Sequence, residues 1–431
     1  MEGRGLIVDG FAGGGGASTG MEAALGRDVD IAINHSALAL QVHAANHPRT
    51  RHLISDIWEV NPKEATGGRP VWVAWFSPDC RDFSVAKGGR PRSKEIRSLA
   101  WVVRRWAKDV RPEIIFVENV PEFEGWGPLG EDGFRIPERV GETFRRWRRD
   151  LERLGYRVEH RVLAACEYGA PTSRERLFVV ARRDGLPVRW PEPTHGPGRP
   201  LPYHSAAECI DWSDLGRSIF GRRTKTGKPN HLAPKTMWRI AEGLRRFVLE
   251  SDNPFIVPAP PRLVASWLVE VNHGRPLDTI TGRDHHSLTA ATLIKLRGQC
   301  TGADPRQPMP TVSAQGTHLA AVAAFLTTYY GSDGTAGQDV REPIRTITGK
   351  QRHGLVTVQG TPYQICDITL RMLRPPELLR GQFGRFAEKY DLSAARTLEA
   401  QTELIGNSVP PEVAEALVRA NVPELAEVAA A

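Results

Sequence analysis

The chain predicts an α/β protein built on an open sheet, followed by a β-rich region of different composition. Three observations carry that expectation. Short apolar runs alternate with helical patterns from Leu6 to Ala181. Residues with chemical uses stand where those runs break. After Arg183 the composition shifts to proline, glycine and histidine, and a repeated β-rich pattern follows.

Composition bounds the reading. At 431 residues the chain has room for two or three domains, and 40% hydrophobic with 25% charged residues fits a globular fold. A start without a signal-peptide core and the lack of any run of membrane-spanning length predict a cytoplasmic protein with no membrane partner. Cys80, Cys166, Cys209, Cys300 and Cys366 lie far apart without a CxxC pair, so no metal site and no disulfide framework is expected. The formal charge of +7 is compatible with nucleic acid and is weak support alone.

The first run, LIVDGFAGGGGASTG from Leu6, reads as a strand, a glycine turn and the opening of a helix over 17–25. It lacks a Gly-Lys-Ser/Thr ending, and Phe11 sits inside the turn. A nucleotide and an adenosyl-amino-acid ligand therefore stay equally open. A second unit has its strand over 29–33, Asn34 at the strand end and a helix over 37–45. A third strand edge over 52–57 carries Asp56, which could bind a ligand or cap a helix. The run VWVAWFSPDCRDFSVAK from Val71 is a strand buried on both faces that presents Cys80 where it should end. That cysteine is a candidate nucleophile; the plainer alternative is a small buried hydrophobe. Arg81, Lys87, Arg90, Arg92 and Lys94 follow among glycines and suit a segment closing on a polyanion, or a solvated loop.

Further on, EIIFVENVP ends a buried strand in Glu118 and Asn119, polar groups that a core accepts only with partners. Strands over 156–163 and 177–181 flank YGAPTSRER, which sets Arg174 and Arg176 two apart on one side of an extended segment. Helices are expected over 140–154 and 238–249. Three repeats begin at Pro276, Pro308 and Pro343; each has threonine three residues on, a β-branched residue four on and a histidine ten on, at His286, His318 and His353. Short β units with turns account for them better than a metal site does. RMLRPPELLR then enters a helix, and LIGNSVPP precedes a last helix over 412–420.

DGFAGGGG, the cysteine loop, ENV, SRERLFVV and GNSVP, in that order, resemble the DNA (cytosine-5) methyltransferase family across most of 6–183 and 365–420. The resemblance implies a Rossmann-like sheet that uses S-adenosyl-L-methionine. It implies a catalytic part over 1–185, a target-recognition domain over 186–364 and a return of the catalytic part over 365–431. Phe11, Gly13, Gly15, Asn34, Asp56 and Asn407 fall on the family's cofactor positions. Cys80 falls on the nucleophile, Glu118 and Asn119 on ENV, and Arg174 and Arg176 on the paired arginines, so that Cys80, Glu118, Arg174 and Arg176 form the expected catalytic set. Arg81, Lys87, Arg90, Arg92 and Lys94 fall on the loop expected to meet DNA.

The implied chemistry is transfer of a methyl group to C5 of a cytosine flipped out of double-stranded DNA, through an adduct on Cys80, by a monomer. Glu118 would donate to N3, Arg176 would hold O2 and orient Glu118, and Arg174 would fix the loop or backbone. The resemblance leaves two settings open in a bacterium or a phage host: a cognate restriction endonuclease acting separately, or a solitary modifier. Three departures stand out. Asp79-Cys80-Arg81 replaces Pro-Cys-Gln, with the proline one position early at Pro78; Thr172 replaces a glutamine; and Asn34 replaces a ribose-binding acid. The competing expectations are an RNA cytosine-5 methyltransferase, a DNA-binding accessory protein with an impaired site and, least, a dinucleotide oxidoreductase.

Overall fold

Apolar runs that cannot expose either face become the middle of a sheet. Seven strands form it: β1 (Leu6–Gly10), β2 (Ile31–Asn34), β3 (Arg51–Ile54), β4 (Val71–Phe76), β5 (Ile114–Asn119), β6 (Arg157–Ala164) and β7 (Glu175–Arg182). Their order is β3-β2-β1-β4-β5-β7-β6. Strands β1 to β5 run parallel, and β7 lies antiparallel between β5 and β6. Helices α1 (Gly16–Leu25), α2 (Ala37–Asn46), α3 (Pro62–Thr66), α4 (Trp101–Asp109) and α5 (Glu142–Arg153) connect them. The computed structural model describes residues 4–79, 99–131, 134, 136–224, 226–257, 287–297, 302–314, 316, 318–328, 355–358 and 361–422.

A second sheet has the order β11-β12-β10-β9, with β8 (Arg217–Ser218) paired to β12. Its strands are β9 (Ser287–Lys295), β10 (Leu319–Thr328), β11 (Leu355–Val358) and β12 (Thr361–Met372), all antiparallel to their neighbours. Helix α6 (Pro234–Leu244) continues into a single π turn over Arg245–Leu249. Its Ile240 and Leu244, with Val248, pack on Ala290, Ile294, Ala320 and Val322. The chain returns through α7 (Pro375–Phe383), α8 (Leu398–Asn407) and α9 (Pro411–Asn421).

Two units result: Met1–Cys209 with Pro308–Thr317 and Arg374–Ala431, and Ile210–Gln307 with His318–Leu373. The expected boundaries at 185/186 and 364/365 differ from these. Residues 186–209 stay with the first unit because their backbone is tied down there: Arg189 N donates to Asn421 Oδ1 at 3.0 Å, Thr194 N to Glu167 O at 2.9 Å, and Arg380 Nε to Cys209 O at 2.8 Å. The later boundary moves because β12 runs unbroken through 365 as far as Met372.

The first sheet is covered on both faces. Trp72 and Trp75 of β4 join α1 and α9 in one core, while Ala74 and Phe76 join Val103 and Trp106 of α4 and Trp147 of α5 in the other. That division of the strand between two cores explains why β4 reads VWVAWF, with no polar position. In the second unit a strand starts directly after each repeat histidine, at Ser287, Leu319 and, after Gly354, Leu355. The expectation that Thr-Ile-Thr itself is β structure is not met in the described copy, where 311–313 form no strand. The other two copies lie outside the described residues. Among the described residues no helix is long and apolar enough to cross a membrane.

Candidate active site

Strands β1, β4 and β5 end side by side, and β1 is where the sheet order reverses direction. In open α/β sheets the crevice at such a switch point takes the ligand. Backbone bonds close the edge there: Ser77 N donates to Gly10 O at 3.3 Å and Ala12 N to Ile33 O at 3.0 Å. The turn after β1 runs through positive φ at Phe11 (65°), Gly13 (47°) and Gly15 (107°). Phe11 is unusual among these, since a bulky side chain there is strained; its ring is half-buried against the core that holds Phe76. Gly15 is compelled as well, because a Cβ on it would lie 2.7 Å from His47 Nε2.

Asn34 ends β2 and its Oδ1 accepts from Ser36 N at 2.7 Å, while Ser55 N, just past β3, donates to Asn34 O at 3.1 Å. Asp56 is exposed and its Oδ1 accepts from Trp58 N at 2.9 Å, a turn-forming use rather than a helix cap. Ile54 and Trp58, 60% and 37% exposed, stand on either side of Asp56 in the chain. These two apolar residues were not singled out from the sequence, although an exposed Ile and Trp bracketing an acid at a strand end is a readable signal. Asn407 is exposed at the last position of α8.

Glu118 lies at the end of β5, buried, with Oε1 3.0 Å from Arg176 Nε. Strand pairing sets this up, since β7 runs antiparallel beside β5 with Asn119 opposite Leu177. Asn119 next to it donates from Nδ2 to Pro78 O at 3.1 Å and accepts from Val120 N at 2.9 Å. The carbonyl of Pro78, two residues before Cys80, is therefore held against the end of β5. Cys80, Arg81, Lys87, Arg90, Arg92 and Lys94 lie outside the described residues.

Arg174 does not share Arg176's surroundings. It is buried, and its Nη1 donates to Gly406 O at 2.9 Å and Val312 O at 3.3 Å. Backbone carbonyls take its guanidinium, and Arg176 is the arginine paired with Glu118.

Behind the glycine turn is a polar cluster that sequence reading missed. Ser18 Oγ donates to Asp9 Oδ2 at 2.7 Å and meets His43 Nε2 at 3.0 Å; His43 Nδ1 meets His52 Nε2 at 2.9 Å. With the serine proton directed at Asp9, His43 supplies Nε2–H to the serine, and its Nδ1 is left to accept from His52. Burial, offset by the Ser18 bond and by His47, pushes the Asp9 carboxyl up to about 7. Burial holds His43 well below the usual imidazole range, with neighbouring His47 and His52 adding to the effect. His47 Nδ1 lies 2.8 Å from Glu22 Oε2. No residue-type signal pointed here, because a histidine at 43 on a short helix and another at 47, just past its end, look like ordinary surface positions.

A parallel sheet reversing at β1, with a glycine turn and an acid–guanidinium pair on neighbouring strand ends, defines the Rossmann-like α/β class of methyltransferases with an inserted β-rich domain. Residues 6–208 match the family described as C-5 cytosine-specific DNA methylase. Over that stretch, a little under half of its length, the chain is similar to the DNA (cytosine-5) methyltransferase family. It is similar to the Type II methyltransferase M.AgeI of Thalassovita gelatinovora, 31% identical over 198 residues that cover 44% of this chain and 43% of that protein. It is also similar to the Type II methylase M.HgiDII of Herpetosiphon aurantiacus, 30% identical over 198 residues that cover 45% of this chain and 51% of that protein. The chain thus spans about half the length of these curated relatives. In fold it resembles the Entamoeba histolytica methyltransferase EhMeth, with TM-score 0.50 and 13% identity over 98% of this chain and 99% of that one. A Spodoptera frugiperda DNMT2 mutant gives TM-score 0.50 and 14% identity over 96% of this chain and 99% of that one.

Proposed function

We propose that this protein transfers a methyl group from S-adenosyl-L-methionine to C5 of a cytosine flipped out of double-stranded DNA. The observation that carries the proposal is the Arg176–Glu118 pair, 3.0 Å apart at the end of β5, beside the Pro78 carbonyl that leads into Cys80. A carboxyl and a guanidinium joined edge to edge match the N3 and O2 edge of cytosine.

The residues present fit the cofactor. A Cβ on Gly13 would meet nothing nearer than Phe11 O at 3.9 Å, so the turn leaves open backbone for a ligand. Ile54 and Trp58 offer apolar faces to an adenine, and exposed Asp56 offers an acceptor for its amino group. Asn34 would take the ribose through its amide, with weaker hydrogen bonds than a carboxylate makes. Phe11, Gly15 and Asn407 complete the assigned set. When bound, the cofactor supplies an electrophilic methyl group.

The chain's own residues do the rest. Cys80 adds its sulfur to C6 of the base, which turns C5 into an enamine-like carbon able to attack the methyl. A free thiol near its ordinary pKa is about 3% thiolate at pH 7, so basic groups such as Arg81 and the DNA contact must favour the thiolate. Glu118, carrying a proton on approach to the base, donates it to N3 as charge develops there, and Arg176 holds O2 and the acid together. Solvent water takes the C5 proton, the freed electron pair expels the Cys80 sulfur from C6, and N3 returns its proton to Glu118, which releases 5-methylcytosine. Lys87, Arg90, Arg92 and Lys94 would bind the DNA backbone. The protein acts as a monomer on one flipped base, in a bacterium or phage host, either beside a cognate restriction endonuclease or as a solitary modifier.

One assay tests the assignment. Wild type and Cys80→Ser are each incubated with methyl-labelled cofactor and either unmethylated duplex DNA or transfer RNA. Label at cytosine C5 of DNA with wild type alone is the expected result. Label confined to RNA, or DNA binding without label, overturns it in favour of an RNA enzyme or an impaired accessory protein respectively.

A further inference from the structure

We propose that the middle repeat, Pro308–Thr317, is a positioning element of the active site rather than a reader of DNA, and that Arg174 is the positioning residue through which it acts. The inference rests on the function proposed above.

The repeat segment is built into the first unit although the chain on both sides of it belongs to the second. Leu296 N donates to His318 O at 2.7 Å, closing the base of the excursion between β9 and β10. At its tip Met309 forms a short parallel pairing with the approach to β7. Met309 N donates to Pro171 O at 2.8 Å, Ser173 N to Met309 O at 3.0 Å, and Thr172 Oγ1 to Met309 O at 3.1 Å. Thr172 and Met309 are both fully buried. Arg174 then bridges two carbonyls, Val312 O of the repeat and Gly406 O of α8. Gly406 lies so close that a Cβ there would fall 2.4 Å from Ala314 N.

The sequence of this copy matches burial. From Pro308 to His318 it holds no Asp, Glu, Lys or Arg, whereas the first copy carries Asp278, Arg283 and Asp284 and the third carries Arg345, Lys350 and Arg352. The described residues of this copy that are buried, Met309 and Val312, are both apolar. A copy that reads phosphates has no reason to shed its charges.

The consequence for the reaction is geometric. Arg176 begins two residues after Arg174, and its Nε reaches Glu118 Oε1 at 3.0 Å. The repeat splints residues 171–174, so the strand that delivers Arg176 starts from a fixed point. Thr172 in place of the family's glutamine is part of the same arrangement, because its hydroxyl is spent on Met309 O.

The test compares Arg174→Ala, Arg174→Lys and Thr172→Val with wild type. Arg174→Ala should lower the single-turnover methylation rate about a hundredfold, the scale of a small misplacement of reacting groups. Duplex affinity should change by less than about threefold, with the salt dependence of binding unaltered. Arg174→Lys should recover about a tenth of the wild-type rate, since one donor can still reach a carbonyl. Thr172→Val, which deletes one hydrogen bond, gives a milder loss of rate and covers the case in which Arg174→Ala fails to fold. Amide exchange should quicken at Ser173 and Met309 in the variants. Weakened DNA binding with a salt slope reduced by about one would make Arg174 a phosphate contact and overturn the proposal. Unchanged exchange at Ser173 and Met309 would overturn it even if the wild type methylated nothing, an outcome that separately refutes the proposed function.

Discussion

Asp9→Asn isolates a single buried charge. Asp9 ends β1 directly before the glycine turn, is 1% exposed, and has its Oδ2 satisfied by Ser18 while Oδ1 meets no hydrogen-bond donor among the described residues. Burial raises its carboxyl from an ordinary 3.8 to about 7. A raised acid binds its proton more tightly folded than unfolded. Its contribution to stability is therefore complete below about pH 4, falls as pH rises through about 7, and is flat beyond. At about 1.4 kcal/mol for each tenfold in proton affinity, ionising Asp9 costs the folded state about 4 kcal/mol by pH 8.

Asparagine mimics the protonated acid: its Oδ1 accepts from Ser18, and its amide stands where Oδ1 stood. The variant should exceed wild type by about 1.5 kcal/mol at pH 5 and by up to about 4 kcal/mol at pH 8. For a unit of this size about 2 °C accompanies each kcal/mol, so the unfolding midpoint should rise by about 8 °C at pH 8 and by about 3 °C at pH 5. Thermal unfolding of both proteins between pH 5 and 8, read as their difference, cancels every other titrating group. A variant less stable than wild type at pH 8, by an amount that does not shrink toward pH 5, would mean that the carboxylate is well partnered, and would refute the reasoning.

Other outcomes follow from the same geometry. The Asp9 carboxylate, costly when alone, is favoured by a cation nearby, so Asp9→Asn should weaken binding of the sulfonium cofactor more than of its neutral demethylated product; equal losses in calorimetric titrations would contradict this. Gly16→Ala places a Cβ 2.2 Å from Val409 O and should cost about 2 kcal/mol by prising α1 from α9, measured by urea unfolding. Glu118→Gln should reduce single-turnover methylation by about 10²–10⁴-fold while leaving cofactor affinity intact, because its partner Arg176 remains and no cofactor contact is assigned to it. Asn119→Ala releases the Pro78 carbonyl and should slow adduct formation on 5-fluorocytosine DNA by about tenfold or more; an unchanged adduct rate would show that this tether does not set the approach to Cys80.

What the sequence made legible was local, and what it concealed was pairwise across long separations. The strand of VWVAWF could be read because both its faces are buried, one against Trp106 and the other against α1 and α9, so that every position is apolar. The Glu118–Arg176 pair was anticipated through motif order, which stands in for a contact between residues 58 apart. Arg174 shows the limit. Its partners are main-chain carbonyls of Val312 and Gly406, the latter 232 residues away, and a carbonyl has no identity in a sequence. The glycine run was ambiguous for a related reason. Gly13 and Gly15 shape the turn, but Gly16 and Gly20 are glycine because α9 presses on α1: a Cβ on Gly20 would lie 2.4 Å from Pro411 O. A composition signal that serves ligand approach and helix packing alike cannot say which residue does which.

The histidines were obscured differently. His43 and His52 matter through the buried chain that joins them to Asp9, and that chain exists because β1, α1, α2 and β3 each contribute one member. Proton order along it follows from a single fact, the serine hydroxyl bonded to a carboxylate, which forces each donor in turn to point toward Asp9. Removing the proton supply at the half-buried end tests that order. His52→Phe should leave His43 Nδ1 without its donor and free His43 to invert its tautomer, so that Nε2 becomes an acceptor and the Ser18 hydroxyl can turn away from Asp9. Asp9 would then lose the hydrogen bond that lowers its pKa, and the folded protein's pH dependence would steepen toward higher pH. A stability profile for His52→Phe that superimposes on wild type from pH 5 to 8 would mean that the four groups do not act as a chain.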